Sequence, residues 1–161
     1  MKERVTEEKG NGLFVMEVLQ KGGFIIKYVG KIVYKEQDNN YGMKITDMDL
    51  WIDLTKNGGQ AKYINHSCDP NCNLEQWDIK GMPRMYFFAN RKINSRTELT
   101  FNYYWTVEVK NTVEWRRKGT KCMCGALNCH KVIKRGILLK KKRGQQRIQS
   151  MDHTWRKGQG L

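Results

Sequence analysis

The sequence predicts a mostly β domain, on three observations. Ile, Val and aromatic residues gather in short runs at 23–34, 48–54, 84–93 and 98–105, a length and composition that suit strands. No window keeps apolar residues at i, i+3, i+4 and i+7 long enough to make an amphipathic helix. Fifteen glycines, with Asn and Asp clusters, punctuate the runs as turns would. The composition suits a packed chain: 39% of the 161 residues are hydrophobic and 11% aromatic, enough for one domain with a real core and a tail.

Taken in order, MKERVTEEKG (1–10) is charged and carries no apolar leader, and no stretch approaches the roughly 20 apolar residues of a membrane helix. GFIIKYVGKIVY (23–34) reads as strand, broken in two at Gly30. KEQDNNYG (35–42) is polar and turn-like. MDLWIDL (48–54), RMYFFANRKI (84–93) and ELTFNYYW (98–105) read as three further strands. From Val107 to Lys121 the chain is charged and reads as a connection, and from Lys140 onward little fixed structure is expected. There is no internal repeat.

The net charge of +14 is unevenly spread: residues 131–161 hold ten Lys/Arg against one acidic residue, Asp152. Such a tail favours a polyanion such as nucleosomal DNA. The plainer alternative is a solubilising or nuclear-import tail, which KKKR at 140–143 would also serve.

Five cysteines behind a charged start argue for metal binding or catalysis over a disulfide framework. Cys122, Cys124 and Cys129 form a CxCx4C pattern whose three thiolates can wrap one ion. Structural zinc takes four ligands in a tetrahedron, so a fourth must come from Cys68, Cys72, His66 or His130. The CxxC spacing of redox chemistry is missing. Buried reduced cysteines are the plain alternative, yet three in eight residues among Lys121, Gly125 and Asn128 do not read as a core strand.

Two further motifs are dense in chemistry. Asn65-His66-Ser67-Cys68-Asp69-Pro70-Asn71-Cys72 is a polar turn just after the apolar approach AKYI, a usual place for a binding site. It also reads as a purely structural turn, or as a Cys–His pair. Glu98-Leu99-Thr100-Phe101-Asn102-Tyr103-Tyr104-Trp105 is a strand ending in aromatics, suited either to ordinary packing or to a phenol at a cavity rim.

GNGLF at 10–14, NHSCDPNC at 65–72, ELTFNYYW at 98–105 and CxCx4C at 122–129 stand in the order found in SET-domain methyltransferases with a post-SET zinc cluster. FIIKYVGKIV resembles that family's strand ending in an aromatic-x-Gly step, and NLEQWDIKG resembles its following hairpin. The resemblance covers about residues 9–133, and FIIKYVG and INHSCDPNC look most like the Ash-one branch, with the nuclear-receptor-binding SET proteins next. It implies a fold of short sheets in which the NHSC and ELTFNY segments form a pseudo-knot. Residues 1–106 would be the SET domain, 107–133 the connection and post-SET segment, and 134–161 a basic tail.

The resemblance also implies a function: methyl transfer from S-adenosylmethionine to a histone lysine, lysine 36 of histone H3 in the similar branches. The protein would act in the nucleus on chromatin, as a monomer, without membrane. Lys9, Gly10 and Asn11 match the first cofactor loop, with Tyr41 an aromatic candidate beside them. Asn65 and His66 match the pair that holds the adenine and amino-acid portions. Tyr103 matches the phenol between cofactor sulfur and substrate nitrogen. Tyr28, Phe101 and Tyr103 are candidates to line the lysine channel, and Phe101 matches the position that helps set how many methyls fit. Cys68 matches the fourth zinc ligand beside Cys122, Cys124 and Cys129, leaving Cys72 as a structural thiol. The chain departs from the family at 35–41, where a longer helical insert is usual, and at Lys62, where the close branches carry arginine. A module that binds chromatin without turnover is the alternative reading.

Overall fold

The computed structural model describes residues 1–34, 42–45, 50–56, 58–103 and 120–133. Twelve strands and one 3-10 turn make up the regular structure of these residues, so the mostly β expectation holds. β1 (Lys2–Thr6) and β2 (Gly10–Phe14) form an antiparallel hairpin. The charged opening had not read as strand. It becomes strand because β2 returns beside it, and its Lys, Glu and Arg side chains lie exposed.

The 23–34 run divides as expected, into β3 (Phe24–Tyr28) and β4 (Lys31–Val33) on either side of Gly30. β4, β5 (Gly42–Lys44) and β6 (Trp51–Asp53) make one sheet in the order β4-β6-β5. The 3-10 turn Gln60–Tyr63 then leads into β7 (Asn65–His66). β8 (Cys72–Ile79) and β9 (Met82–Ala89) form a long antiparallel hairpin, and β3 adds to β9, giving the order β3-β9-β8. Lys80 and Gly81 both have positive φ, the arrangement of a type I′ turn, and the Gly81 N–H donates to Asp78 Oδ1 at 2.8 Å.

Period-two alternation decides what this hairpin covers. Leu74, Met85 and Phe87 turn inward to a core shared with Leu13, Val15, Ile45, Leu54, Ile64 and Leu99. The opposite face carries Trp77 stacked on Phe88 at 5.3 Å, with Tyr86 and Phe24 edge-on around them.

β10 (Thr100–Phe101) pairs in parallel with β7. The 98–105 strand is therefore shorter than read: Tyr103 has left strand geometry, and its backbone N–H turns to His66 Nδ1. Last, β11 (Thr120–Lys121) and β12 (Val132–Ile133) close the cysteine segment at its base. Thr120 and Lys121, read as connection, are thus ordered by pairing with residues beyond the cysteines. The remainder of the connection, Tyr41 and the tail 134–161 lie outside the described residues.

Candidate active site

The parallel pairing of β7 and β10 brings the two polar motifs together. Two strands of two residues each bury little, so side chains reinforce them. Asn71 is 6% exposed, and its amide works as an extra strand. Nδ2 donates to Glu98 O at 2.8 Å, while Oδ1 accepts the Thr100 backbone N–H at 2.8 Å. The Ser67 N–H continues the ladder to Phe101 O at 3.0 Å. The fold of NHSCDPNC thereby sets where ELTFNY emerges.

Three groups of candidate residues meet around this junction. The first is an aromatic run. Tyr28 lies 6.1 Å from Phe87, Phe87 4.9 Å from Phe101, Phe101 4.7 Å from Tyr103, and Tyr103 5.3 Å from His66. The three channel candidates are thus brought together, with Phe87 as an unforeseen member. The Tyr103 hydroxyl donates to Ile64 O at 3.1 Å, which fixes the phenol at the end of the 3-10 turn. Burial, with Tyr103 and Asp53 beside it, holds the Tyr28 phenol far above its ordinary titration range, so it stays neutral.

The second group is polar and centres on Glu98, which no sequence argument singled out. Its carboxylate takes the Lys9 ammonium at 2.5 Å through Oε2 and the Asn65 amide at 2.9 Å through Oε1. The same Asn65 Nδ2 donates to Asn11 O at 3.2 Å. Glu98 therefore ties the β1–β2 hairpin to β7, and Lys9, Asn11 and Asn65 share one junction. The signal available in sequence was an acid opening a strand read only for its aromatics. A Cβ at Gly12 would come 2.9 Å from Glu98 Oε1, so the hairpin approaches this carboxylate only with glycine there. Gly10, in the first-loop match, takes φ +73°, which side chains disfavour.

The third group is the thiol cluster. The Sγ atoms of Cys68, Cys122, Cys124 and Cys129 all lie within 4.8 Å of one another, and Cys68 Sγ stands 3.9 Å from Cys122 Sγ. Tetrahedral zinc with Zn–S of about 2.3 Å spaces its sulfurs about 3.8 Å apart, so the geometry and the donor set both fit that ion. Of the four candidates for the fourth ligand, the structure selects Cys68. Cys72 is buried away from the cluster and donates to Asn71 Oδ1 at 3.2 Å. Burial opposes ionisation at Cys124, yet the backbone N–H donors and the neighbouring thiols prevail and pull it down to about 6. Burial pushes Cys122 up to about 12.

His66 touches the first and third groups. It is 3% exposed. Nδ1 accepts the Tyr103 backbone N–H at 3.1 Å, and Nε2 lies 3.4 Å from Cys68 Sγ. Burial first, and the nearby His130 second, lower its titration to about 4, so the ring is neutral near pH 7.

Residues 10–104 match the SET domain family. The H3 lysine-36-specific histone-lysine N-methyltransferase of Mycosarcoma maydis is 33% identical over 136 residues, which are 77% of this chain and 13% of that protein. Histone-lysine N-methyltransferase ASHH1 of Arabidopsis thaliana is 33% identical over 94% of this chain and 30% of its own. SETD2 of Homo sapiens is 31% identical over 78% of this chain and 5% of its own. The chain therefore spans less than a third of each of these relatives. Among solved structures, KRYPTONITE in complex with mCHH DNA, an H3(1-15) peptide and SAH superposes with a TM-score of 0.70 at 29% identity, over 81% of this chain and 29% of that one. With matched motifs, matched residues and matched fold, this chain belongs to the SET domain family.

Proposed function

We propose that this chain is the catalytic domain of a histone-lysine N-methyltransferase that uses S-adenosylmethionine and acts on lysine 36 of histone H3. The observation that carries the reading is the aromatic run from Tyr28 through Phe101 to Tyr103, set against β7 with Asn65 and His66. The names of the relatives support the substrate, and the SAH in the KRYPTONITE complex supports the cofactor.

In this reading Lys9, Asn11, Asn65 and His66 hold S-adenosylmethionine, with Glu98 holding Lys9 and Asn65 and Asn65 in turn holding Asn11. The bound cofactor supplies a methyl group on a positively charged sulfur. The enzyme needs no nucleophile of its own. Its work is positioning, worth up to roughly 7–11 kcal/mol when two reactants are well oriented. The substrate lysine must first lose a proton, and with a free pKa near 10.4 that costs on the order of 4–5 kcal/mol near pH 7. Tyr28, Phe101 and Tyr103 present neutral aromatic surface, which disfavours the ammonium by desolvation. Tyr103 keeps its hydroxyl oxygen, held against Ile64 O, for the reacting end of the channel. Cys68, Cys122, Cys124 and Cys129 hold a structural zinc that ties the post-SET segment to the NHSC turn.

The nucleosome supplies both partners proposed for the chain, a histone tail at the channel and DNA at the basic segment 131–161. The alternative, a chromatin-binding module without turnover, draws no support from relatives that carry enzyme names. The experiment is radiolabelled methyl transfer from S-adenosylmethionine to recombinant nucleosomes. Label on histone H3 that disappears with H3 lysine 36 replaced, and with Tyr103→Phe, is the expected result. Turnover unchanged in Tyr103→Phe would defeat the assigned role, and label on another residue would defeat the substrate.

A further inference from the structure

The ring of His66 stands between the aromatic run and the thiol cluster. Its Nδ1 accepts the backbone N–H of Tyr103 at 3.1 Å. A backbone amide only donates, so Nδ1 carries the lone pair and the neutral ring places its proton on Nε2. Nε2 is 3.4 Å from Cys68 Sγ, and the His130 backbone N–H reaches the same sulfur at 3.4 Å. Two N–H groups thus converge on one sulfur of the cysteine cluster, one from the post-SET segment and one from β7. The ring is 3% exposed, so water does not compete for either bond, and it packs edge-on to the Tyr103 ring at 5.3 Å.

Resting on the zinc and Tyr103 assignments above, we infer that His66 is a positioning residue that couples metal occupancy of the four-cysteine cluster to the placement of Tyr103, donating Nε2–H to the Cys68 sulfur while Nδ1 holds the Tyr103 backbone amide. A metal-bound Cys68 sulfur is a fixed acceptor and pins the tilt of the ring. The pinned ring fixes the Tyr103 backbone nitrogen where the chain leaves β10, and hence the origin of the Tyr103 side chain. When the metal leaves, Cys68 Sγ is no longer held, and the ring loses the contact that sets its tilt. The reverse holds by linkage: the ring stabilises the loaded cluster, as groups that orient and neutralise metal ligands do.

The two halves of the contact separate in two variants. In His66→Asn an amide oxygen can stand near the place of Nδ1, but nothing reaches Cys68. In His66→Gln an amide N–H can reach the place of Nε2, but no acceptor stands near Nδ1. Zinc affinity is read by competition with a chromophoric chelator, with zinc alone as the probe. The Tyr103 amide is read by hydrogen exchange on the 15N-labelled chain, with Phe87 in β9 as internal reference.

His66→Asn is expected to weaken zinc binding about 10–100-fold, the usual cost of losing such a partner, while His66→Gln stays close to the native affinity. His66→Gln is expected to speed exchange at Tyr103, and His66→Asn to leave it slow while zinc is bound. In the native chain, chelation of zinc should speed exchange at Tyr103 and leave Phe87 protected. Equal zinc affinity in all three chains overturns the inference, as does a Tyr103 amide indifferent to chelation in the native chain. If neither variant folds, the native chelation arm decides: loss of protection at Tyr103 alone supports the coupling, and loss at Phe87 as well overturns it. None of these readouts uses turnover, so a coupled but inactive chain would sink the proposed function alone. A native chain that takes up no zinc would sink the metal assignment itself.

Discussion

The Lys9 ammonium and the Glu98 carboxylate meet at 2.5 Å, although 89 residues separate them in the chain. The pair is partly buried, with side-chain exposures of 22% and 17%, and the second carboxylate oxygen holds Asn65. One acid therefore fixes the N-terminal hairpin against β7.

Glu98→Gln keeps the shape and removes the charge. It should cost about 1 kcal/mol of stability, because a partly exposed ion pair is worth little more than that. It should weaken cofactor binding more than it slows methyl transfer at saturating cofactor. Thermal unfolding and calorimetric titration with S-adenosylhomocysteine read the two effects. Unchanged affinity would make Glu98 a purely structural clip.

Asn71→Ala strands two partly buried groups, the Glu98 carbonyl and the Thr100 N–H. At about 1–3 kcal/mol for each lost partner, the variant should lose about 2–6 kcal/mol in urea unfolding. A loss well under 1 kcal/mol would show that water or a shifted β10 replaces the amide.

Cys124→Ser removes one of four thiols within 4.8 Å. Zinc content by atomic emission should fall from one ion per chain toward none, and proteolysis should open the segment after Lys121. Full retention of the metal would show that the cluster is not its site.

Alkaline stability should report Cys72. Burial, opposed by the Thr100 backbone and by Arg91, pushes its thiol up to about 12 from an ordinary 9.0. A thiol raised in the folded state contributes stability that is complete below about pH 9 and is lost as pH climbs through 12. Cys72→Ala should start about 1 kcal/mol less stable, from a small cavity, and lose less across that window. Parallel pH curves would place the alkaline loss elsewhere, with the buried Tyr28 phenol the next candidate.

Phe101→Tyr tests the methylation ceiling. Phe101 is 6% exposed and packs on Tyr103 at 4.7 Å. With phenylalanine there, the enzyme is expected to reach dimethyl-lysine or beyond. An added hydroxyl would take up room in the proposed channel, so the variant should stop at an earlier product. Mass spectrometry of an H3 peptide separates the products, and an unchanged distribution would take Phe101 out of the channel wall.

Much of the architecture is written locally. The break at Gly30, the hairpin around Lys80–Gly81, the aromatic approach to Tyr103 and the CxCx4C cluster depend on near neighbours, and near neighbours are what patterns record. The order of the motifs was enough to indicate the family. Other features needed the fold. β1 is a strand because β2 returns beside it, not because KERVT favours one. The choice of Cys68 over Cys72, four residues apart, depends on which sulfur the turn aims at Cys122, Cys124 and Cys129. Asn71 and Glu98 carry no pattern of their own. An amide that completes a two-residue sheet and a carboxylate that joins segments 89 and 33 residues away take their meaning from partners distant in the chain, which only the packed structure brings within hydrogen-bonding reach.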